Sequence, residues 1–254
     1  MLTTLLFLTS LFLVLPEGME AVIALSILSV VLVPVVAGWE LANLEAAERF
    51  NITQRGLMRA AAIGVGCALP VVVLRGWSAT PLDGFAAGLF VMLCSLLALG
   101  ASIDRMSAFA PDTIVVSTTI AAVLVGIGPQ SAFGVILCLI IAAAIVFASI
   151  GLWNLQERFD RPILPPADTI AMVLPMVLFG FDLMVSAAYL AIAVILLAIR
   201  HNETVARRFS VPEAVADALG ETGLGDGPAV TLLSIVYPVI LATLLLSEIA
   251  VLFS

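Results

Sequence analysis

The chain has no lysine: its ten basic residues are all arginine, and eighteen acids leave a net charge of −8. Nucleic-acid binders neutralise phosphates with clustered cations, so no nucleic-acid partner is expected. Histidine is nearly absent. His201 alone lies in a polar stretch, which excludes bis-histidine haem and His-rich metal sites. Cys67, Cys94 and Cys138 each sit inside an apolar run and form no CxxC pair, so they read as small buried thiols. There is no ATP-binding or other soluble catalytic motif. No cofactor or metal is expected, and any energy must come from a gradient or a partner. Charge itself is scarce, at 11% of residues, where a soluble domain carries about a quarter.

Apolar sequence fills the space. The chain is 63% hydrophobic, with a mean hydropathy of +1.23. A bilayer core needs roughly 20 apolar residues per helical span. The runs lack the alternation of barrel strands, so helices are the expected spanning form. They fall at about 2–16, 20–38, 57–75, 83–103, 113–127, 130–153, 168–180, 182–199 and 229–252. The first resembles a signal-peptide core but lacks a positive n-region and an A-x-A site, and reads as a retained helix. The expectation is an all-α polytopic membrane protein with about nine transmembrane helices.

One long apolar stretch, 168–199, is ambiguous. As a single helix it would be roughly 48 Å long, too long for one span unless strongly tilted. A break near Gly180-Phe181-Asp182 places every arginine except Arg75 on one side. The positive-inside rule makes that side cytoplasmic. The expectation is a cell-membrane protein with a cytoplasmic N-terminus and an external C-terminus.

A repeated phrase supports the same break. NLEAAERFN at 43–51 and NLQERFD at 154–160 each follow a tryptophan, Trp39 or Trp153. Pro16 precedes the first tryptophan by 23 residues, and Pro129 the second by 24. Next come Pro70 against Pro175, then Asp83 against Asp182. The order is fixed, and the offset shrinks from 114 at the tryptophans to 99 at the aspartates. This predicts a duplicated four-helix unit, repeated in parallel orientation, plus a C-terminal helix. The expected organisation is a first unit over 1–112, a second over 113–200, a cytoplasmic amphipathic loop over 201–228 and a last helix within 229–254. In that loop VPEAVADALGE has the pattern of a short surface helix.

Candidate transport residues follow from position. Asp83 and Asp182 open repeat-equivalent helices, where a carboxylate can bind a cation or cap the helix. Pro70 and Pro175 are paired helix breakers whose freed carbonyls can coordinate cargo. Glu248 lies in an apolar run near the end of the sequence, where it reads as an outer-interface residue or one facing a helix partner. Glu48, Arg49, Glu157 and Arg158 form mirrored charge pairs suited to gating, or to a helix lying on the membrane surface.

GLGD at 223–226, with Phe181-Asp182 ahead of it, is similar to the YD and GxGD pair of presenilin-type intramembrane aspartyl proteases. The resemblance implies that Asp182 and Asp226 activate a water. It covers six residues. Phe stands in place of Tyr, a single helix follows where that family has more, and no PAL motif is present. In the nine-span topology the two aspartates also lie on opposite faces.

The sequence therefore points first to a transporter or ion-translocating protein with its cargo at the repeat interface. The alternatives are a non-catalytic membrane subunit of an ion-pumping, respiratory or antiporter complex and, remotely, the aspartyl protease. Expected partners are the lipid bilayer and a homo-oligomer or membrane-complex neighbours.

Overall fold

A computed structural model describes residues 19–43, 52–76, 83–128, 131–158, 165–180, 182–210 and 230–253. The expected helix at 2–16, the VPEAVADALGE segment, Glu48, Arg49 and Asp226 lie outside the described residues.

The described chain is nearly all helix. Helix α1 (Met19–Ile27) passes through a π-helical segment, Leu28–Leu32, into α2 (Val33–Ala42). Pro34 explains the irregularity. It has no N–H to give the preceding turn, and a π-segment is a common way for a helix to absorb such a break. Next come α3 (Gln54–Gly76), α4 (Gly84–Ser107), α5 (Asp112–Ile127), α6 (Ala132–Arg158), α7 (Pro166–Phe179), α8 (Leu183–His201), α9 (Glu203–Phe209) and α10 (Leu233–Val251). Among the described residues the only extended pairing is a single antiparallel bridge, Ser210 to Val230. It brings the end of α9 back beside the start of α10.

The break within 168–199 is present. Gly180 ends α7 at φ +58°, a conformation open to glycine. Asp182 then caps α8 by accepting from the Leu183 N–H. The helix starts and ends otherwise fall within a few residues of the sequence expectation. One element was not expected. The loop after residue 201 carries α9, which Asn202 caps by accepting from the N–H groups of Thr204 and Val205.

Among the described residues six helical segments are long and apolar enough to cross a membrane: Val22–Ala42, α3, α4, α6, α8 and α10. Helices α5 and α7 are apolar but shorter. This is the pattern of a multi-pass membrane protein. Of α4, 72% of the apolar window is buried inside the protein, against 17% for α6 and 11% for α8. So α4 is the axis, and α1, α3, α5 and α10 pack around it. The outer helices expose Phe133, Phe147, Leu183 and Leu190, side chains whose exposure suits a hydrocarbon solvent.

Small residues set the closest approaches. A Cβ at Gly64 of α3 would overlap the Cys94 carbonyl of α4. Ser95 adds a hydrogen bond across the same contact, donating to the Ala61 carbonyl at 3.0 Å. Helices in lipid associate largely through such packing, because hydrocarbon offers little hydrophobic drive between them. Gly64→Ala must therefore push α3 off α4. We expect a loss of about 1–3 kcal/mol, in the range of overpacked cores, measurable as a lower thermal midpoint in detergent. Gly66→Ala is the control, since among the described residues no atom beyond its own stretch of helix lies within 4 Å of a Cβ there; equal effects of the two changes would refute the close-packing account.

Candidate functional site

Buried charged groups among the described residues lie at the two ends of the bundle. The first collection lies where α4 ends and α5, α7 and α10 begin. Asp104, in the last turn of α4, is only 4% exposed. Its carboxylate accepts from the Ser234 N–H at 2.8 Å, and it also faces the Leu233 N–H and the Thr231 hydroxyl. No side chain of α10's own N-cap residue, Leu232, bonds that helix end. Asp104 thus caps α10 from another helix, an anion at the positive end of a helix dipole.

Asp168 completes an acidic pair. It stands in the first turn of α7, half-buried. It is close enough to Asp104 and to the Tyr237 hydroxyl for their charges to interact. Tyr237 of α10 is fully buried. Its ring lies against Gly100 of α4, where a Cβ would come within 2.6 Å of the ring. Its hydroxyl stands beside that of Thr118 of α5, which is also fully buried. The hydroxyls of Thr118, Thr231 and Tyr237 are all shielded from solvent, yet none makes an aligned hydrogen bond among the described residues. Buried hydroxyls are ordinarily satisfied by aligned partners, so a Thr231 hydroxyl beside a buried carboxylate and a Thr118–Tyr237 hydroxyl pair close by, none of them aligned, mark a candidate site.

A further acid works at this end. Glu40 of α2 bonds Thr113 at the start of α5, accepting from both its hydroxyl and its N–H. Like Asp104, it places a carboxylate at the N-terminus of a neighbouring helix.

The second polar collection is at the far end of α10, roughly 21 Å from Ser234 at 1.5 Å per residue. Here Arg75 Nε of α3 and Glu248 Oε2 of α10 are 2.9 Å apart, with side chains 9% and 22% exposed. Glu248 therefore faces a helix partner rather than water at an outer interface. The two contacts, Asp104 with Ser234 and Arg75 with Glu248, fix the relative directions of the core helices: α10 runs antiparallel to α4 and parallel to α3.

The other sequence candidates stand apart from both collections. Asp83 is exposed and caps α4, accepting from the Ala86 N–H at 2.7 Å. Asp182 is exposed and caps α8. Helix α3 continues through Pro70, which faces outward, and α7 continues through Pro175, which is buried. Glu157 and Arg158 are exposed at the end of α6. Among the described residues no group of three or more His, Cys, Asp or Glu could hold a metal ion. Cys94 and Cys138 are buried, whereas Cys67 is exposed.

Sequence reading passed over Asp104, Asp168, Thr118 and Tyr237. One signal was available. Asp104 is an acid placed inside the end of an apolar run, and Tyr237 is one of only two tyrosines.

The comparisons with known proteins add no relative. No family model matches the chain, no curated protein matches it, and no solved structure matches it. The functional reading rests on the chain's own geometry.

Proposed function

We propose that the chain is an integral membrane transporter or ion-translocating protein whose cargo site lies between two four-helix units. The observation that supports this reading is the cluster of buried Asp104, Thr118 and Tyr237 with half-buried Asp168. Ionisable residues within a membrane bundle are costly and are kept where ions or protons move. The cluster also has the right position. Asp104 belongs to the first proposed unit, Thr118 and Asp168 belong to the second, and Tyr237 of α10 closes the junction. The repeat itself rests on the landmarks in register. If the units arose by duplication they have diverged, since α4 is buried where its counterpart α8 is exposed. Helix α10 packs on both, and takes the place beside α4 that a symmetric arrangement would give to α8.

The proposed orientation puts the cluster on the arginine-rich, cytoplasmic side of the cell membrane, with the C-terminus external. The Arg75–Glu248 pair then closes the external side. Glu48, Arg49, Glu157 and Arg158 remain gate candidates at the cytoplasmic rim. Asp83, Asp182, Pro70 and Pro175 remain candidates for a path on the external half.

Reconstitution into liposomes tests the reading. Wild-type chain should carry cations across the bilayer, and Asp104→Asn should lower that flux by about tenfold or more, the scale of one lost charged contact. Asp83→Asn and Asp182→Asn keep an oxygen for the helix cap and remove the charge. Loss of flux in these two, with Asp104→Asn unaffected, would move the cargo site to the opposite end.

A second reading has its own observation. Leu183, Leu190, Val194 and Leu197 form an exposed apolar stripe along α8. That stripe suits lipid, and it equally suits a neighbouring subunit of an ion-pumping or respiratory complex. The mass of the gently extracted native assembly separates the two, because stable foreign subunits favour the second reading.

A further inference from the structure

We propose that the Asp104–Asp168 cluster binds one dehydrated alkali-metal cation, with the hydroxyl oxygens of Thr118, Thr231 and Tyr237 as its neutral ligands. The proposal rests on the transport reading and gives it a cargo class or a coupling ion.

The ligand set is all oxygen, which selects hard cations over thiophilic ones. The charge count then selects among hard cations. Two carboxylates face the site. Four helix ends meet here: the half negative charge at the end of α4 offsets the half positive charge at the start of α5, and the N-termini of α7 and α10 contribute about half a positive charge each. About one negative charge is left over. Among the described residues the other charged groups of α3, α4 and α5 near this end are exposed or engaged elsewhere. Arg105 of α4 and Asp112 of α5 are exposed, as are Arg55 and Arg59 on the adjoining turn of α3. Glu40 is engaged with Thr113. A single monovalent cation balances the remainder, whereas a divalent one would leave the site positive.

The hydroxyls decide between a metal cation and a proton. A proton needs a carboxylate alone. A desolvated alkali ion needs several oxygens to replace its water shell, and neutral carbonyl or hydroxyl oxygens serve that purpose in membrane ion sites. Here the Thr231 hydroxyl faces the Asp104 carboxylate, and the Tyr237 and Thr118 hydroxyls stand beside each other within reach of its charge; among the described residues none of the three makes an aligned hydrogen bond. They come from α5, from the approach to α10 and from α10 itself, and α4 packs against both helices. Asp168, half-buried, stands on the rim and gives an ion a charged route inward.

The test uses the full chain in lipid nanodiscs. Thermal unfolding is followed in sodium, potassium or choline chloride at constant ionic strength. Anything that binds the folded state alone raises stability as its concentration passes the dissociation constant. Sodium or potassium should therefore raise the midpoint in a saturable way that choline does not reproduce. Asp104→Asn should fold and lose that effect. Tyr237→Phe should fold and weaken the apparent affinity by about tenfold. An alkali effect equal to choline's, an undiminished effect in Asp104→Asn, protection by calcium or magnesium alone, or protection by acid alone would each overturn the proposal. Liposome flux separates the two claims. Alkali binding without flux leaves the site and sinks the transport reading, while flux without saturable alkali protection sinks the site and leaves transport.

Discussion

Arg75→Met alone should lower the stability of the protein by about 3–5 kcal/mol, and Glu248→Leu alone should do nearly the same. Each change leaves one charge in a low-dielectric site without its counter-charge, which is the costly way to break a buried pair. Arg75 also has an interaction beyond the Nε–Oε2 contact, so its loss should be the greater of the two. The double change, Arg75→Met with Glu248→Leu, should recover most of the loss. It removes both desolvation penalties and puts apolar side chains of similar volume between α3 and α10. A double-mutant cycle on unfolding in detergent measures the coupling. Single effects that simply add would mean the two charges are each satisfied by something else, and the pairing would not hold the helices. If the pair also closes the external end during transport, the double variant should be stable yet leak ions, a split that a purely structural pair would not give.

Much of the architecture was legible because lipid imposes a strict grammar. Each span must satisfy its own backbone, so long apolar runs between prolines, glycines and aspartates have one reading. The break at Gly180 and Asp182 shows this well. The arginine distribution demanded a turn there, and the structure supplies it with a positive-φ glycine and an aspartate cap. Roles were harder to read than ends. Asp83 and Asp182 drew attention because they are repeat-equivalent, yet locally they look the same whether they cap or carry cargo. Asp104 escaped notice because ASIDRMS reads as an ordinary helix end beside an arginine. Asp168 reads as an acid in a first turn, where acids are common. Their meeting is tertiary, made by the docking of α10 a hundred and thirty residues after Asp104. No local periodicity encodes it. Glu248 illustrates a partial signal: Arg75 is the single arginine expected at the external end, and Glu248 is the single acid of the last helix. Pairing them needs only the assumption that buried charges in lipid find each other.

Asp104→Leu should be the most damaging single change at the other end. It removes the acceptor for the Ser234 N–H and leaves that donor and the Thr231 hydroxyl facing hydrocarbon. Hydrogen bonds to a charged group contribute about 1.5–3 kcal/mol, and an orphaned buried donor adds a desolvation penalty of about 1–3 kcal/mol. A loss of roughly 3–5 kcal/mol is expected, seen as a lower thermal midpoint and as faster amide exchange at the start of α10. Asp104→Asn behaves differently. Its amide oxygen still accepts from Ser234, so the helix stays docked and only the charge term is lost, about 1 kcal/mol on the helix-dipole scale. The pair of variants separates two roles that one carboxylate combines. Stability follows the acceptor oxygen, so Asn should keep most of it and Leu should not. Cation protection follows the charge, so neither Asn nor Leu should keep it. If Asn proved as unstable as Leu, the charge would be needed for folding, and the alkali effect could not be read from this residue. Tyr237→Phe would then report it independently, because among the described residues the phenol oxygen makes no aligned hydrogen bond and stands only beside the Thr118 hydroxyl.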